Sequence, residues 1–184
     1  MLHEKSPRAI FTVWAIIVGL FAPIVILFVP ITITQSLFYD PSQIVVLAPS
    51  KNHLLLTIGF ILIIGTLLLL AFRRSKQTYL ASALLIAGAI GFFAFSTLSY
   101  VIIHPEYITV RDYLDKQQYA MEDFDAVIYE YGLDEPGQYQ FITKEGEAVT
   151  IQDSPQLHFE KRSAIYKTAL AHDLTFEERP MQEE

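Results

Sequence analysis

No cysteine occurs among the 184 residues. Disulfide staples, thiolate metal sites and cysteine nucleophiles are therefore excluded, a composition in keeping with a bacterial chain. Charge is nearly missing from the first half. Up to Ile103 the only formally charged side chains are Glu4, Lys5, Arg8, Asp40, Lys51, Arg73, Arg74 and Lys76, and none falls inside the three long apolar runs there. Ionisable groups within a membrane mark proton relays and ion paths. Their absence argues against a pump or ion-coupled transporter built from this chain alone. Chemistry-bearing motifs are missing as well. His3, His53, His104, His158 and His172 show no H-x-x-x-H or H-E-x-x-H spacing, so no zinc site is signalled. There is no glycine-rich phosphate loop and no G-x-S-x-G elbow. Neither an enzymatic activity nor a cofactor is expected.

What is present divides sharply. Apolar residues make up 52% of the chain, yet from His104 onward seven basic side chains face eighteen acidic ones, a net −11 against −7 for the whole. Two solvents, lipid and water, are the simplest cause of such a split. The acidic half is a poor match for nucleic acid, whose phosphates require clustered Lys and Arg.

The expected architecture is three transmembrane helices (residues 1–103) followed by a small α+β domain (104–176) and a disordered tail (177–184). The spans are placed at about 9–30, 54–72 and 80–103. The run from Leu54 to Phe72 contains 14 Leu, Ile or Phe and no charge, so its insertion gains roughly 4–8 kcal/mol. In the first run Pro23 removes a backbone donor and predicts a kink. Pro30 predicts an end, or a re-entrant course. A signal peptide is the competing reading, opposed by the length of the run and the lack of an A-x-A site. As a helix, 80–103 would exceed a ~30 Å hydrocarbon core, so it tilts or its last residues leave the lipid for a strand. Ile44–Leu47, in the link between the first two runs, reads either as interfacial or as a strand against the C-terminal domain.

Cationic side chains set the expected orientation. Lys5 and Arg8 precede the first span, and Arg73, Arg74 and Lys76 form a basic turn between the second and third. By the positive-inside rule both lie in the cytoplasm of a multi-pass cell-membrane protein, and the C-terminal domain lies outside. Ala83, Ala87 and Gly91 recur every four positions, a small-xxx-small face that admits close helix approach. It serves either a partner or the packing of the third span on the first two.

Beyond Ile103 the hydrophobic period shortens. Tyr107–Val110, Gln118–Met121, Ala126–Tyr131, Gln138–Thr143 and Val149–Ile151 predict an antiparallel meander of about five strands. Turns fall at 132–137 and 144–147. A helix follows, with Ser154 as N-cap, Pro155 as its first residue and Ile165, Tyr166, Ala169 and Leu170 as its apolar stripe. His53 and His104 adjoin membrane boundaries and could meet there. Glu122, Asp123 and Asp125 read as a solvated turn, and Tyr100, Tyr107, Tyr113 and Tyr119 as candidates for the headgroup layer.

The segments 104–110, 119–124 and 141–149 together resemble bacterial pleckstrin-homology-like domains fused to membrane spans. Met121 stands where that family often has Trp, and Phe124 where it has Ile. The resemblance implies binding or oligomerisation without catalysis. The expected function is a membrane-anchored interaction or scaffold protein, or alternatively an accessory subunit of a transporter or secretion complex. The expected partners are membrane lipids and either a second copy or another membrane protein.

Overall fold

The computed structural model describes residues 6–132 and 136–181. His3, Lys5 and the Leu133–Glu135 part of the predicted turn lie outside them. The chain divides into two compact units, one from the first 34 residues with 50–99, the other from 35–49 with the residues from Tyr100 onward.

The first unit holds three helices long and apolar enough to cross a membrane: α1 (Pro7–Phe38), α2 (Ser50–Phe72) and α3 (Lys76–Phe95). These point to a multi-pass membrane protein. Successive helices run antiparallel. Arg8 lies 4.8 Å over the Phe72 ring and Gly19 approaches Ile64. On the other side Phe60 and Phe93 stack at 5.2 Å, and Gly88 approaches Leu62. Gly59 is needed at this second contact, because a Cβ there would overlap the Phe93 ring. Most large side chains of α1 point outward, among them Leu20, Phe21, Leu27 and Phe28, as a lipid solvent allows.

Pro30 does not end the helix as the sequence suggests. α1 continues through Pro23 and Pro30 to Phe38. A proline at position 30 orphans the carbonyl of residue 26, four positions earlier. Here His53 Nδ1 lies 2.8 Å from that Ile26 carbonyl oxygen. A carbonyl only accepts, so Nδ1 carries the proton and donates it. The neighbouring helix thus replaces the bond that proline removed, the general condition under which proline persists in a membrane helix. In hydrocarbon, breaking the helix would expose further unpaired backbone.

α3 ends at Phe95, so of the two courses open to 80–103 the last residues leave the helix for a strand. The Ser96 hydroxyl donates to Phe93 O and the Thr97 hydroxyl to Ala94 O, so hydroxyls take up carbonyls that would otherwise seek another helical turn. The β-branched run that follows forms a strand. At the opposite end Ser75 caps α3 by accepting from Thr78 N.

The second unit contains two four-stranded sheets. Sheet one has the order β1 (Val45–Leu47), β2 (Tyr100–Ile103), β3 (Tyr107–Asp112) and β4 (Asp115–Ala120), all antiparallel. The Ile44–Leu47 run is therefore a strand, and Tyr100–Ile103 is a strand rather than the end of a span. β2 is buried at all four residues. Val101 and Ile103 enter the main core, while Tyr100 and Ile102 pack with Val46 and Phe38 on the other face.

A single 3₁₀ turn at Met121–Asp123 leads into sheet two, made of β5 (Phe124–Tyr131), β6 (Gln138–Thr143), β7 (Ala148–Gln152) and β8 (Thr175–Pro180) in the order β7-β6-β5-β8. Helix α4 (Phe159–Ala171) precedes β8. It starts later than predicted. Ser154 instead opens a turn in which Leu157 N donates to Ser154 O, and that turn buries Leu157 in the core. Ile165 and Ala169 are buried, whereas Tyr166 and Leu170 are half exposed.

The five-strand meander with a frayed tail is thus corrected to eight strands, the last of them parallel to β5. The tail is redirected at the end of α4. Asp173 takes φ 56°, Leu174 N donates to Ala169 O and Asp173 N to Leu170 O, a Schellman arrangement that satisfies the last carbonyls. Leu174 is then buried and Phe176 meets Tyr166 edge-on at 5.0 Å.

Replacing His53 with Leu is expected to cost about 1 kcal/mol by leaving the Ile26 carbonyl without its donor. In a Pro30→Ala background, where residue 30 regains its N–H, the same substitution is expected to cost close to nothing. Equilibrium unfolding of the four variants in detergent micelles measures this. Equal losses in both backgrounds would refute the compensation.

Candidate functional site

Three polar constellations in the second unit could carry chemistry. The first joins Asp40, Ser42 and His104. Ser42 N and Oγ both donate to Asp40 Oδ1, at 2.9 and 2.6 Å, and these bonds hold the Asp40 carboxyl below its ordinary pKa. His104 Nε2 lies 3.2 Å from Ser42 Oγ, while its Nδ1 accepts from Glu106 N at 3.1 Å. The residue types suggest a hydrolytic triad, but the order of bonds does not. A triad places histidine between acid and serine, with a bare nitrogen facing the hydroxyl. Here Nδ1 is the acceptor, so Nε2 carries the proton in the neutral ring. The serine hydroxyl gives its own proton to Asp40. The network braces the approach to β1 against the β2–β3 turn and activates no nucleophile.

The second centres on Glu130 in β5. It is 6% exposed and pairs directly with Gln138 on one neighbouring strand and Arg179 on the other. Oε2 accepts from Gln138 and Gln140, each at 2.7 Å, and Oε1 from Arg179 Nε and Nη2 at 2.9 and 2.6 Å. Four donors saturate an ionised carboxylate. The Gln138 bond first, and Arg179 next, depress its pKa. Nothing remains to hold a ligand, so Glu130 is a latch for the C-terminal strand.

The third surrounds Asp153, between β7 and α4. Its Oδ2 accepts from the Tyr129 hydroxyl at 2.9 Å and from Arg162 Nη2 at 2.7 Å, and Arg162 Nε donates to Leu157 O. Tyr129 and Tyr139 stack at 4.7 Å. Burial pushes the Tyr139 phenol up to about 12 and raises that of Tyr129, with Asp153 adding to both. Both phenols therefore stay protonated through neutral pH, and that of Tyr129 serves as a fixed donor to Asp153. Asp153 Oδ1, Ser154 Oγ and Gln156 Oε1 are buried in this stretch without a partner. Three such atoms cluster here, and a further one, Gln43 Oε1, lies apart in the same unit. The cluster suits a polar ligand or solvent bearing hydrogens.

The residues singled out by sequence are scattered. His53 binds the Ile26 carbonyl and His104 binds Ser42, so the two share no partner. Glu122, Asp123 and Asp125 are exposed; Asp123 alone is engaged within the chain, accepting from Ala120 N. No group of three His, Cys, Asp or Glu able to hold a metal occurs among the described residues. Arg8, Arg73, Arg74 and Lys76 gather at one end of the antiparallel helices, where Arg74 lies 5.8 Å over Phe11. Ala83 and Ala87 are exposed and Gly91 partly so, with nothing within 4 Å of a Cβ built there. α3 instead buries Thr78, Ser82 and Ala89. The small-residue face is therefore not used for packing within the described residues.

Sequence reading missed Glu130, Asp153 and Arg162. Only Glu130 left a signal, as a lone carboxylate in the apolar alternation of Ala126–Tyr131. Comparison of the chain with family models, with curated proteins and with solved structures finds no match.

Removing the latch tests this account. Glu130→Ala is expected to cost about 2 kcal/mol through lost charge-assisted bonds. The native carboxyl titrates below its ordinary 4.5. Its stabilisation is thus complete above that value and lost as pH falls through the lower, folded pKa. Thermal melts between pH 7 and 3 should show a smaller acid loss for Glu130→Gln than for wild type. Identical acid profiles would show that the carboxylate contributes nothing.

Proposed function

We propose that this chain is a membrane-anchored interaction or scaffold protein, presenting an acidic pleckstrin-homology-like domain at the membrane surface. The observation that carries the reading is the unused face of α3. Ala83, Ala87 and Gly91 offer close backbone approach, yet the chain packs α3 through other residues. A face of this kind gains van der Waals contact only from another helix. A second copy supplies one most simply. A different membrane protein would use the same face, and the chain would then be an accessory subunit of a transporter or secretion complex.

Two features of the soluble unit support a binding role over catalysis. Its two arginine–carboxylate pairs, Arg179 with Glu130 and Arg162 with Asp153, are taken up by its own bracing, and the Asp40–Ser42–His104 bonds run in the wrong order for nucleophilic attack. The pleckstrin-homology-like identity is supported by two sheets closed by a helix around one core. It is strained by the extra parallel strand β8. Orientation rests on the basic end of the helices, which the positive-inside rule assigns to the cytoplasm.

The absence of native cysteine makes the helix face directly testable. In oxidised native membranes, Ala87→Cys is expected to form a disulfide-linked species. The mass of that species separates a second copy from a different partner. A chain that stays monomeric with Cys at 83, 87 or 91 would defeat the reading. Separately, a reporter active only outside the cytoplasm, fused after Glu184, is expected to be active. Activity of a cytoplasm-only reporter at that site would reverse the orientation.

A further inference from the structure

The register of sheet one sorts its residues into two ends, and two of the chain's connections to the apolar helices, β1 to α2 and α3 to β2, leave from one of them, while the third enters β1 at Val45, opposite Ile103. Tyr100 opens β2 five residues after α3 finishes at Phe95. Leu47 closes β1 opposite Val101, three residues before α2 begins at Ser50. Phe38, the last residue of α1, stacks its ring 4.0 Å from that of Tyr100. β3 runs back towards this end, pairing Arg111 with Tyr100. The β3–β4 hairpin therefore turns here, at Tyr113 and Leu114. The five residue steps from Phe95 to Tyr100 span at most about 18 Å, which bounds the distance from the end of α3 to this end of the sheet.

The tip has unusual chemistry for a turn. Tyr113 holds φ 53°, where a two-residue hairpin usually places Asn, Asp or Gly. Leu114 beside it is 83% exposed. A bulky residue kept in the left-handed region next to an apolar side chain aimed at solvent is local strain of the sort found at binding surfaces. The flanks are electrically balanced. Arg111 and Lys116 offset Asp112 and Asp115, and Arg111 Nε donates to the Tyr113 carbonyl. Tyrosine and leucine on a neutral collar match the headgroup–acyl boundary, where amphipathic rings partition.

We infer that the Tyr113–Leu114 tip dips into the lipid headgroup layer and seats the soluble unit on the bilayer. The inference rests on the apolar helices being spans. It also divides the tyrosines near the membrane exit. Tyr100 and Tyr113 belong to the lipid end. Tyr107 and Tyr119, paired with Ala120 and Ile108, lie at the far end, about 20 Å away at 3.3 Å per residue.

The test uses the full chain, cysteine-free apart from one introduced residue, in vesicles of phosphatidylcholine and phosphatidylglycerol. Leu114→Cys and Gln118→Cys, both at exposed positions of one hairpin, each carry an environment-sensitive fluorophore. The label at 114 is expected to shift to the blue and to be quenched several-fold more than that at 118 by lipids bearing a nitroxide near the headgroup. Equal, weak quenching at both positions would overturn the inference. So would a blue shift at 114 without lipid quenching, which would mean that protein covers the tip. Protein that fails to float with the vesicles would overturn the spanning assignment itself, and the inference with it.

Discussion

Backbone hydrogen bonding in a solvent that offers none is the constraint on which the rest depends. Within hydrocarbon each N–H and C=O needs a partner from the protein, and a proline takes one donor away. The contact of His53 with the Ile26 carbonyl answers this at Pro30. A polar side chain near the start of α2 thereby sustains α1 through its second proline. The same requirement closes α3, where the Ser96 and Thr97 hydroxyls occupy terminal carbonyls, and fixes the chain beyond it, where Asn52 Nδ2 donates to Ser99 O at 2.7 Å. His53, Ser96, Thr97 and Asn52 are thus structural fittings at helix ends.

In the soluble unit a different solvent gives a different solution. Charged groups there are affordable, and the chain spends them on holding strands together. Glu130 ties β5 to β6 and β8; Asp153 ties β5 to α4 through Tyr129 and Arg162. The acidic excess of the domain is thus partly internal bracing and partly an exposed surface. Around Asp153 the bracing leaves acceptors over.

The spans and the hairpins were legible because their signals are local. Uncharged runs of about 20 residues mark helices in lipid, and Lys144–Glu147 between alternating runs marks a hairpin. What was not legible depended on distant partners. A strand is one of the courses open to the end of the third run, but where span gives way to β2 could not be read, because a strand buried on both faces is as continuously apolar as a membrane helix. β1 is only three residues long and exists because β2 pairs with it. β8 looks like a polar tail, since Thr175–Pro180 shows Phe176 among charges of which Arg179 finds its partner, Glu130, on β5. The polar sites were hidden for the same reason. Asp153 and Arg162 lie nine residues apart on different elements, and Tyr129 twenty-four residues upstream. The likeness to a known domain type drew on the local strands and could say nothing of the strand added after α4.

The donation of β1 to sheet one has a bearing on biogenesis. Residues 45–47 leave the ribosome long before residues 100–103, and two helices must be threaded in between. The early strand waits, unpaired, until its neighbour emerges on the same side of the bilayer. Sheet closure then staples the α2–α3 hairpin from both its ends. A hairpin that failed to insert, or inserted by one helix only, would leave an apolar tripeptide with no sheet to join. Sheet one is thus complete only when the start of α2 and the end of α3 lie on one side of the bilayer.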